Sequence, residues 1–428
     1  MRILTLGGKM LSDPLRDRGH EVLSMGPPGT VLHVLDRETD FLRSPEEARA
    51  AIRESAESFN PDWILQVDDS NPLPHLGLES LPVPKAWYAV DSHLHWEWHR
   101  HYAPVFDLVF CAQQNRVPAL SVFRGKVEWL PLAFTDEPVF LPWSGREHDA
   151  SFVGTLDPAL NPARIALLDG LRSLGRPVHA VQGSTKPVYS ASRLVINQSA
   201  HDDLNFRVFE AMGYGALLVT DRISHSLGEI AEPEKDFLVY APGDAADLHA
   251  KVEWALGHPS EAEAMARRGH AKVSARHMMS HRIDRIAEVM AGPLPIPSPR
   301  GHVLAHLAAA HEHLSRLALP GPLVEFFAAE ARRHASAALD ASPGEPYALL
   351  TLAQLDLEQG AHGPALAWLE TDGAGEGGEG YRQRYAFLKA LLLAHAGRMA
   401  EARQTVLAGL RAFPLDADLL KLAAAVGR

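Results

Sequence analysis

Two stretches of the chain concentrate side chains that can do chemistry. The first runs from Asn197 to Asp221, NQSAHDDLNFRVFEAMGYGALLVTD, and reads as strand, loop, helix and strand. Asp202 or Asp203 can cap that helix, and Gly213 with Gly215 mark its end. Asp203, Arg207 and Glu210 then fall at i, i+4 and i+7 on one polar face, while Leu204, Val208 and Met212 supply the buried stripe. A helix N-terminus at the carboxyl end of a strand is a favourable phosphate site, and a carboxylate further along can accept two hydroxyls of a ribose. That is the chemistry of a nucleotide sugar. The same pattern also fits an ordinary solvated helix face, with Asp202 as cap and Arg207 paired to Glu210.

The second stretch, Asp91 to His101, DSHLHWEWHRH, follows the apolar run Ala86 to Val90. Its four histidines invite a metal reading, and His95 with His99 is a helical i, i+4 pair. The zincin pattern, however, needs a glutamate immediately after the first histidine, and Glu97 stands two after His95, off the face of the pair. A catalytic or acceptor-binding loop fits the position better, since the segment opens at a strand's carboxyl end. Asp91 and His93 are the candidate base or acceptor-orienting groups, because deprotonating a hydroxyl calls for a side chain titrating near neutrality. His95 joins them on the acceptor side. Asp68 and Asp69, after the run Trp63 to Val67, form a further edge pair or a loop cap. Gly7 and Gly8 can bring backbone amides to a reaction centre. Gly154, after Val153, permits close approach of a diphosphate, or simply makes a strand-to-helix turn. His277 and His281 are another i, i+4 pair, read with His270 as surface residues for want of a third ligand.

The elements that must position these groups are short apolar runs alternating with helical stretches. Arg2 to Leu6, Trp63 to Val67, Ala86 to Val90, Leu108 to Cys111 and Val127 to Leu130 form one series. Ala150 to Val153, Val178 to Val181, Leu194 to Ile196, Leu217 to Thr220 and Phe237 to Tyr240 form a second. Continuous apolar runs suit parallel sheets covered on both faces. Two such series predict two Rossmann-like domains, residues 1–145 and 146–291, facing one another across a cleft outside the strands' carboxyl ends.

The run Gly292 to Pro299 has proline at every second position, which forbids a helix and marks residues 292–300 as a linker. Beyond it, residues 301–428 contain only alanine- and leucine-rich segments, so the fold class is α/β followed by an all-α domain. Gly360 and Gly397 sit between helices 37 positions apart, near the ~34-residue tetratricopeptide period. The tail therefore reads as tetratricopeptide-like repeats, with a partial unit over Val303 to Ala341. Such arrays offer a concave surface to a peptide or protein.

At 428 residues the chain has room for two or three domains, and 46% hydrophobic with 22% charged residues is ordinary globular composition. A net charge of −12 argues against duplex nucleic acid or an anionic membrane as partner. The single cysteine, Cys111, allows no intrachain disulfide. Without a signal-like N-terminus or a spanning apolar window, the expectation is a cytoplasmic protein.

The string NQS…DLNFRVFEAMGYGALLVTD, with SLGEI and DFLVYAPGDAADLHAKVEWAL, resembles the C-terminal domain of GT-B glycosyltransferases, in particular the spore-maturation CgeB-like group, over roughly Asp149 to Ala291. In related retaining enzymes two acidic residues spaced E-x7-E contact the donor, and Asp202 and Glu210 hold those places here, the first shortened to aspartate. The resemblance implies Glu210 as the ribose-binding residue, with Asn205 in the same stretch on the donor side. It places Gly228 and Glu229 where the family has a Gly-rich turn near the donor phosphates. Lys186 and Arg207 are then the cations that balance the diphosphate, without a metal or other cofactor. The implied activity is sugar transfer from a nucleotide sugar to an acceptor hydroxyl. A peptide-binding array suggests a protein acceptor, by analogy a bacterial surface or flagellar protein. A polysaccharide or small-molecule acceptor, with the repeats used for assembly, and a non-catalytic scaffold remain the alternatives.

Overall fold

The computed structural model describes residues 1–7, 9–26, 37–38, 44–68, 74–123, 126–294 and 296–427. Seven parallel strands form the first sheet: β1 (Arg2–Leu6), β2 (Glu21–Gly26), β3 (Arg37–Glu38), β4 (Trp63–Val67), β5 (Lys85–Ala89), β6 (Leu108–Cys111) and β7 (Val127–Trp129), in the order β3-β2-β1-β4-β5-β6-β7. Five more form a second parallel sheet: β8 (His148–Val153), β9 (His179–Val181), β10 (Ser192–Asn197), β11 (Leu217–Asp221) and β12 (Leu238–Tyr240), in the order β12-β11-β10-β8-β9. Strand order reverses between β1 and β4 in the first sheet and between β8 and β10 in the second. Ligand crevices of doubly wound sheets open at such reversals.

All ten expected strands are present, with ends shifted by at most two residues. Two more, β2 and β3, escaped the sequence reading. The run of β2 starts on a glutamate and is broken by Ser24, so it lacks the continuous apolar signal of its neighbours.

Alternation along each strand sorts the core into layers. Ile3, Leu65, Tyr88 and Phe110 face one side of the first sheet, and they share a single cluster with Val153, Val195 and Leu218 of the second sheet. The helix Met279–Met290 is part of that cluster through Ile283, Ile286 and Val289, so the last helix of the second α/β series returns to the first domain. Arg18 grips Asp284 there at 2.7 Å, and Arg282 donates to the carbonyls of Pro131 and Leu132.

Leu4, Leu6, Ile64, Trp87 and Val109 face the other side, and their cluster takes in Leu307, Ala310, Leu314, Leu323 and Phe327 from beyond the proline run. Contacts therefore cross the proline run that the sequence marks as a linker. The helices Arg300–Ser315 and Gly321–Ala341 are built into the first domain's core. Each large apolar side chain buried this way contributes roughly 1.5–3 kcal/mol. Polar contacts reinforce the seam: Arg49 donates to Glu330 at 2.6 Å, and the His101 and His306 Nδ1 atoms stand 2.8 Å apart. Five more helices among the described residues, Pro346–Glu358, His362–Leu369, Glu379–His395, Met399–Ala412 and Ala417–Val426, continue the region.

Candidate functional site

The second domain's rim is built where β8, β10 and β11 end. Beyond β10 the chain turns through His201 and Asp202, with φ of 54° and 64°, and enters the helix Phe206–Gly213. The cap of that helix is Asn205, whose side chain accepts from the Arg207 amide at 3.1 Å. This corrects the assignment of the cap to Asp202 or Asp203. It also takes Asp203 off the helix, so the expected Asp203–Arg207–Glu210 face does not exist as a helical stripe.

Arg207 spans the switch point. Its Nε donates to the Val153 carbonyl of β8 at 3.1 Å, its Nη1 to the Asn197 side chain of β10, and its guanidinium lies over the Phe152 ring at 4.6 Å. It does not pair with Glu210 as a surface salt bridge. Gly154 serves this arrangement, since a Cβ there would stand 3.0 Å from both an Arg207 nitrogen and the Phe152 ring. The Gly154 amide itself is taken by the Val181 carbonyl at 3.1 Å. A second guanidinium, Arg164, binds the Thr155 carbonyl and Gln198, each at 3.1 Å.

Glu210 is largely withdrawn from water and accepts from Thr185 Oγ1 at 2.9 Å; burial holds its pKa above the usual carboxylate value against the Thr185 bond and the Arg207 charge. Lys186, the next residue after Thr185, pairs with Asp136 at 2.8 Å on the segment joining the two domains. Asp221, at the end of β11, accepts from the Ser199 amide, and burial pushes it up to about 6. Asp203 accepts from Ser199 Oγ at 2.8 Å and from the Ala200 amide at 2.6 Å. Asp202 is committed to the next loop, where it accepts from the Ser224 amide at 2.6 Å and from the Ser224 hydroxyl. That brings the short helix Leu227–Ile230, with Gly228 and the exposed Glu229, beside Asp202's loop.

On the first domain, Asp68 at the end of β4 accepts from the Asp91 amide at 3.0 Å and faces His99 Nε2 at 3.5 Å, so it shapes the turn after β5. His99 also meets Ser92 Oγ at 3.2 Å. That turn aims His93 across the cleft, where its Nε2 lies 3.8 Å from Asp203 Oδ2. Burial pushes His93 down to about 4, and its Nδ1 has no hydrogen-bond partner among the described residues. His95 sits at the N-cap of the helix Trp96–Tyr102, its ring 5.4 Å from that of His99. The Gly7 amide, expected at a reaction centre, donates instead to the Met25 carbonyl of β2 at 2.8 Å. Gly8 and Asp69 lie outside the described residues.

The four-histidine stretch is dispersed: His93 faces the cleft, His99 faces Asp68, and His101 meets His306 in the other seam. Nor are His277 and His281 a surface pair. His277 is buried with its Nδ1 2.9 Å from Arg282, and His281 accepts from the Met278 amide at 3.1 Å. Among the described residues one group, His311, Glu330 and His334, brings three ligand atoms within 4.8 Å of one another. Both Glu330 oxygens already accept from Arg333, at 3.0 and 2.7 Å, and Arg49 adds a second guanidinium charge that opposes a cation there.

Sequence reasoning missed Gln113. Buried two residues past β6, it holds Leu204 by both backbone groups, accepting from the amide at 2.9 Å and donating to the carbonyl at 3.4 Å. Asn115 adds a 3.5 Å contact to Asp202. Only their position after a strand end could have flagged these glutamine and asparagine side chains. Thr185, beside the noted Lys186, and Asp221, closing a noted strand, were closer to view.

Residues 177–288, which contain this entire second rim apart from β8, Gly154 and Arg164, match a family model described as glycosyl transferase-like. The second domain is therefore glycosyl transferase-like over most of its length. Solved structures of Anabaena HepE share the fold of this chain. One, in complex with UDP, aligns at a TM-score of 0.51 and 15% identity over 68% of this chain and 100% of that chain. Another, in complex with UDP and glucose, aligns at 0.50 and 16% over 68% and 99%. Among curated proteins none is significantly similar in sequence. The structural alignment covers about the length of the two α/β domains of this chain.

Proposed function

We propose that this protein is a glycosyltransferase that moves a sugar from a nucleoside-diphosphate sugar to a hydroxyl group of a polypeptide acceptor, as a cytoplasmic enzyme resembling the CgeB-like group. The observation that carries the reading is the meeting of two strand-end rims: a guanidinium- and carboxylate-bearing rim at β8 and β10, faced by His93 from the turn after β5 at 3.8 Å from Asp203. HepE, of the same fold, binds UDP and glucose, which supports a uridine nucleotide as first candidate for the donor.

In this reading the diphosphate lies at the N-terminus of the helix Phe206–Gly213, near Arg207 and Asn205, where a dipole and a guanidinium meet developing negative charge. Lys186 exchanges Asp136 for the phosphate. Glu210, presented by Thr185, takes the ribose hydroxyls, and Asp202 with the Gly228–Glu229 turn borders the sugar. The acceptor oxygen attacks the anomeric carbon, the carbon–oxygen bond to phosphate breaks, and the diphosphate leaves with the electron pair. The hydroxyl proton passes to the cleft-facing base. Burial holds His93 at about 4, below the near-neutral value that suits a base, and the Asp203 carboxylate facing it at 3.8 Å stabilises the imidazolium formed when it takes that proton. Asp91 and His95 orient the acceptor. No step requires a metal, since the charge on the leaving group is met by side chains and the helix end.

A panel of nucleotide sugars, followed by thermal stabilisation and hydrolysis with and without a strong chelator, tests the reading. Turnover in chelator and label transferred to a polypeptide are expected. Label on a glycan would mark a polysaccharide acceptor. Absence of both binding and turnover would mark a scaffold.

A further inference from the structure

We propose that Gln113 is a positioning residue of the transfer reaction, a latch by which the first domain holds the donor-side loop in register with His93. The inference rests on the glycosyltransferase reading above and adds what fixes the geometry between the two rims.

Three consecutive residues of the second rim, Asp202, Asp203 and Leu204, are met from the first domain by Asn115, His93 and Gln113 in turn. The contacts of Asn115 and His93 are long, at 3.5 Å and 3.8 Å. Gln113 makes the close one. Its Oε1 accepts from the Leu204 amide at 2.9 Å, and its Nε2 donates to the Leu204 carbonyl at 3.4 Å.

Both partners are fixed on their own domain. Gln113 is buried, and its carbonyl accepts from the Arg116 amide at 3.0 Å and from the Cys111 thiol at 3.3 Å. The Ala112 amide donates to the Ala89 carbonyl at 3.0 Å, which ties the end of β6 to the end of β5, just before the turn that bears His93. On the other side Leu204 immediately precedes Asn205, the cap of the helix Phe206–Gly213. The loop before it is braced within the second domain. Ser199 Oγ donates to the Asp203 carbonyl at 2.8 Å, and Asp203 and Asp202 hold the Ala200 and Ser224 amides, each at 2.6 Å. Gln113 therefore sets where the loop stands against the first domain, while the loop's own bonds set its shape.

Donor binding and attack on the donor depend on this contact differently. Arg207, Asn205 and Glu210, the groups assigned to the donor, all belong to the second domain. Attack also needs His93, which belongs to the first, and a misplacement of about 1 Å between reacting groups is enough to cost a large part of a rate. Glutamine suits the contact because it carries one acceptor and an N–H donor at the same end, matching the amide and carbonyl of one residue. An ionised glutamate in its place would keep the acceptor and set a negative oxygen against the Leu204 carbonyl. Protonation of that glutamate would restore the donor.

Hydrogen exchange at the Leu204 amide, in the full chain without ligand, reads the latch; turnover of the nucleotide-sugar panel and calorimetry with UDP read its effect. Gln113→Ala is expected to speed Leu204 exchange by about tenfold, the scale of two ordinary hydrogen bonds, and to lower kcat by a similar factor with donor KM and UDP affinity unaltered. Gln113→Asn, the same amide on a stem one carbon shorter, is expected to behave like Gln113→Ala. Gln113→Glu gives the distinguishing signature. Burial and the facing carbonyl raise the new carboxyl's pKa above its usual value, so this variant departs from the parent at about pH 8 and approaches it toward about pH 5. That recovery is expected in exchange and in kcat alike, each taken as a ratio to the parent at the same pH. A side chain that only fills space has no reason to recover in acid, and the Gln113→Glu ratio decides the matter should Gln113→Ala fail to fold. Unchanged Leu204 exchange in Gln113→Ala, parent-like Gln113→Asn, a Gln113→Glu ratio flat with pH, or a donor KM that rises as kcat falls would each overturn the proposal. A parent that turns over no nucleotide sugar, with Leu204 exchange still dependent on Gln113, would strike the transferase reading and leave the latch. Turnover indifferent to Gln113 would do the reverse.

Discussion

The first domain has two neighbours, and it meets them by different physics. Toward the second domain the cleft rim is polar, in front of an apolar cluster that the helix Met279–Met290 completes: Gln113 holds the Leu204 backbone, His93 faces Asp203 and Asn115 reaches Asp202. Toward the helical region the contact is a merged apolar core, Trp98 and Phe106 with Leu307, Leu314 and Phe327, stapled by Arg49–Glu330 and His101–His306. A few hydrogen bonds worth about 1 kcal/mol each can be exchanged for a ligand. A merged core cannot be opened without the cost of exposing it. The exchangeable contacts lie at the cleft rim, and the seam with the helical region has its apolar core without such a rim.

Deleting residues 300–428 should do the most damage, because it uncovers the apolar face that Leu307, Leu314 and Phe327 bury. The truncated protein is expected to aggregate or to lose its cooperative unfolding transition by calorimetry. A soluble, cooperatively folding fragment with unchanged donor affinity would erase the distinction between the seams. Next in size is His93→Gln, which should lower kcat by about a hundredfold, the scale of general acid–base catalysis, with nucleoside-diphosphate affinity unaltered by calorimetry. Equal loss of affinity would move His93 from the acceptor rim to the donor rim. Glu210→Ala is the converse. It should weaken nucleoside-diphosphate binding by about tenfold or somewhat more, as for a lost hydrogen bond to a charged group, in a protein whose unfolding midpoint is little changed.

The smallest effect is on stability against pH, where the two rims have opposite signs. His93 drops from 6.5 to about 4 on folding, so its contribution is present above 6.5 and is lost as pH falls through 4. Asp221 rises from 3.8 to about 6, so its contribution is present below 3.8 and is lost as pH rises through 6. Between about pH 4 and 6 the two oppose each other. Asp221→Asn should therefore steepen the rise of the unfolding midpoint with pH in that window, and His93→Gln should flatten it. Parallel curves for both variants and the parent would remove these groups from the balance.

Most of the architecture was legible because it depends on local pattern. Ten strands stood out as continuous apolar runs, since a parallel sheet covered on both faces dries every position of a strand. β2 did not, because Glu21 and Ser24 interrupt its run, and hydrogen bonding to β1 on one side and β3 on the other secures it where composition does not. The loop and helix from Asn197 to Glu210 were equally legible, because they follow a strand end. Its capping was not, because Asp202, Asp203 and Asn205 are all good cap residues and only the path of the chain through two positive-φ positions selects Asn205.

What the sequence determined by itself is therefore periodic or near-neighbour: two α/β series, an all-α tail, a glycosyltransferase-like stretch and the chemical types at its strand ends. What only the tertiary structure decided is which distant groups meet. Arg207 turned from a helix-face cation into a brace between β8 and β10, Asp68 became the support of His93's turn, and the four histidines parted to three destinations. The tail past the prolines became part of the first domain's core. Proline spacing reports that a segment is extended, but whether the helices after it swing free or pack depends on a matching apolar face hundreds of residues earlier. Pairings of that kind are fixed by burial free energy summed over the whole fold, and no local pattern carries it.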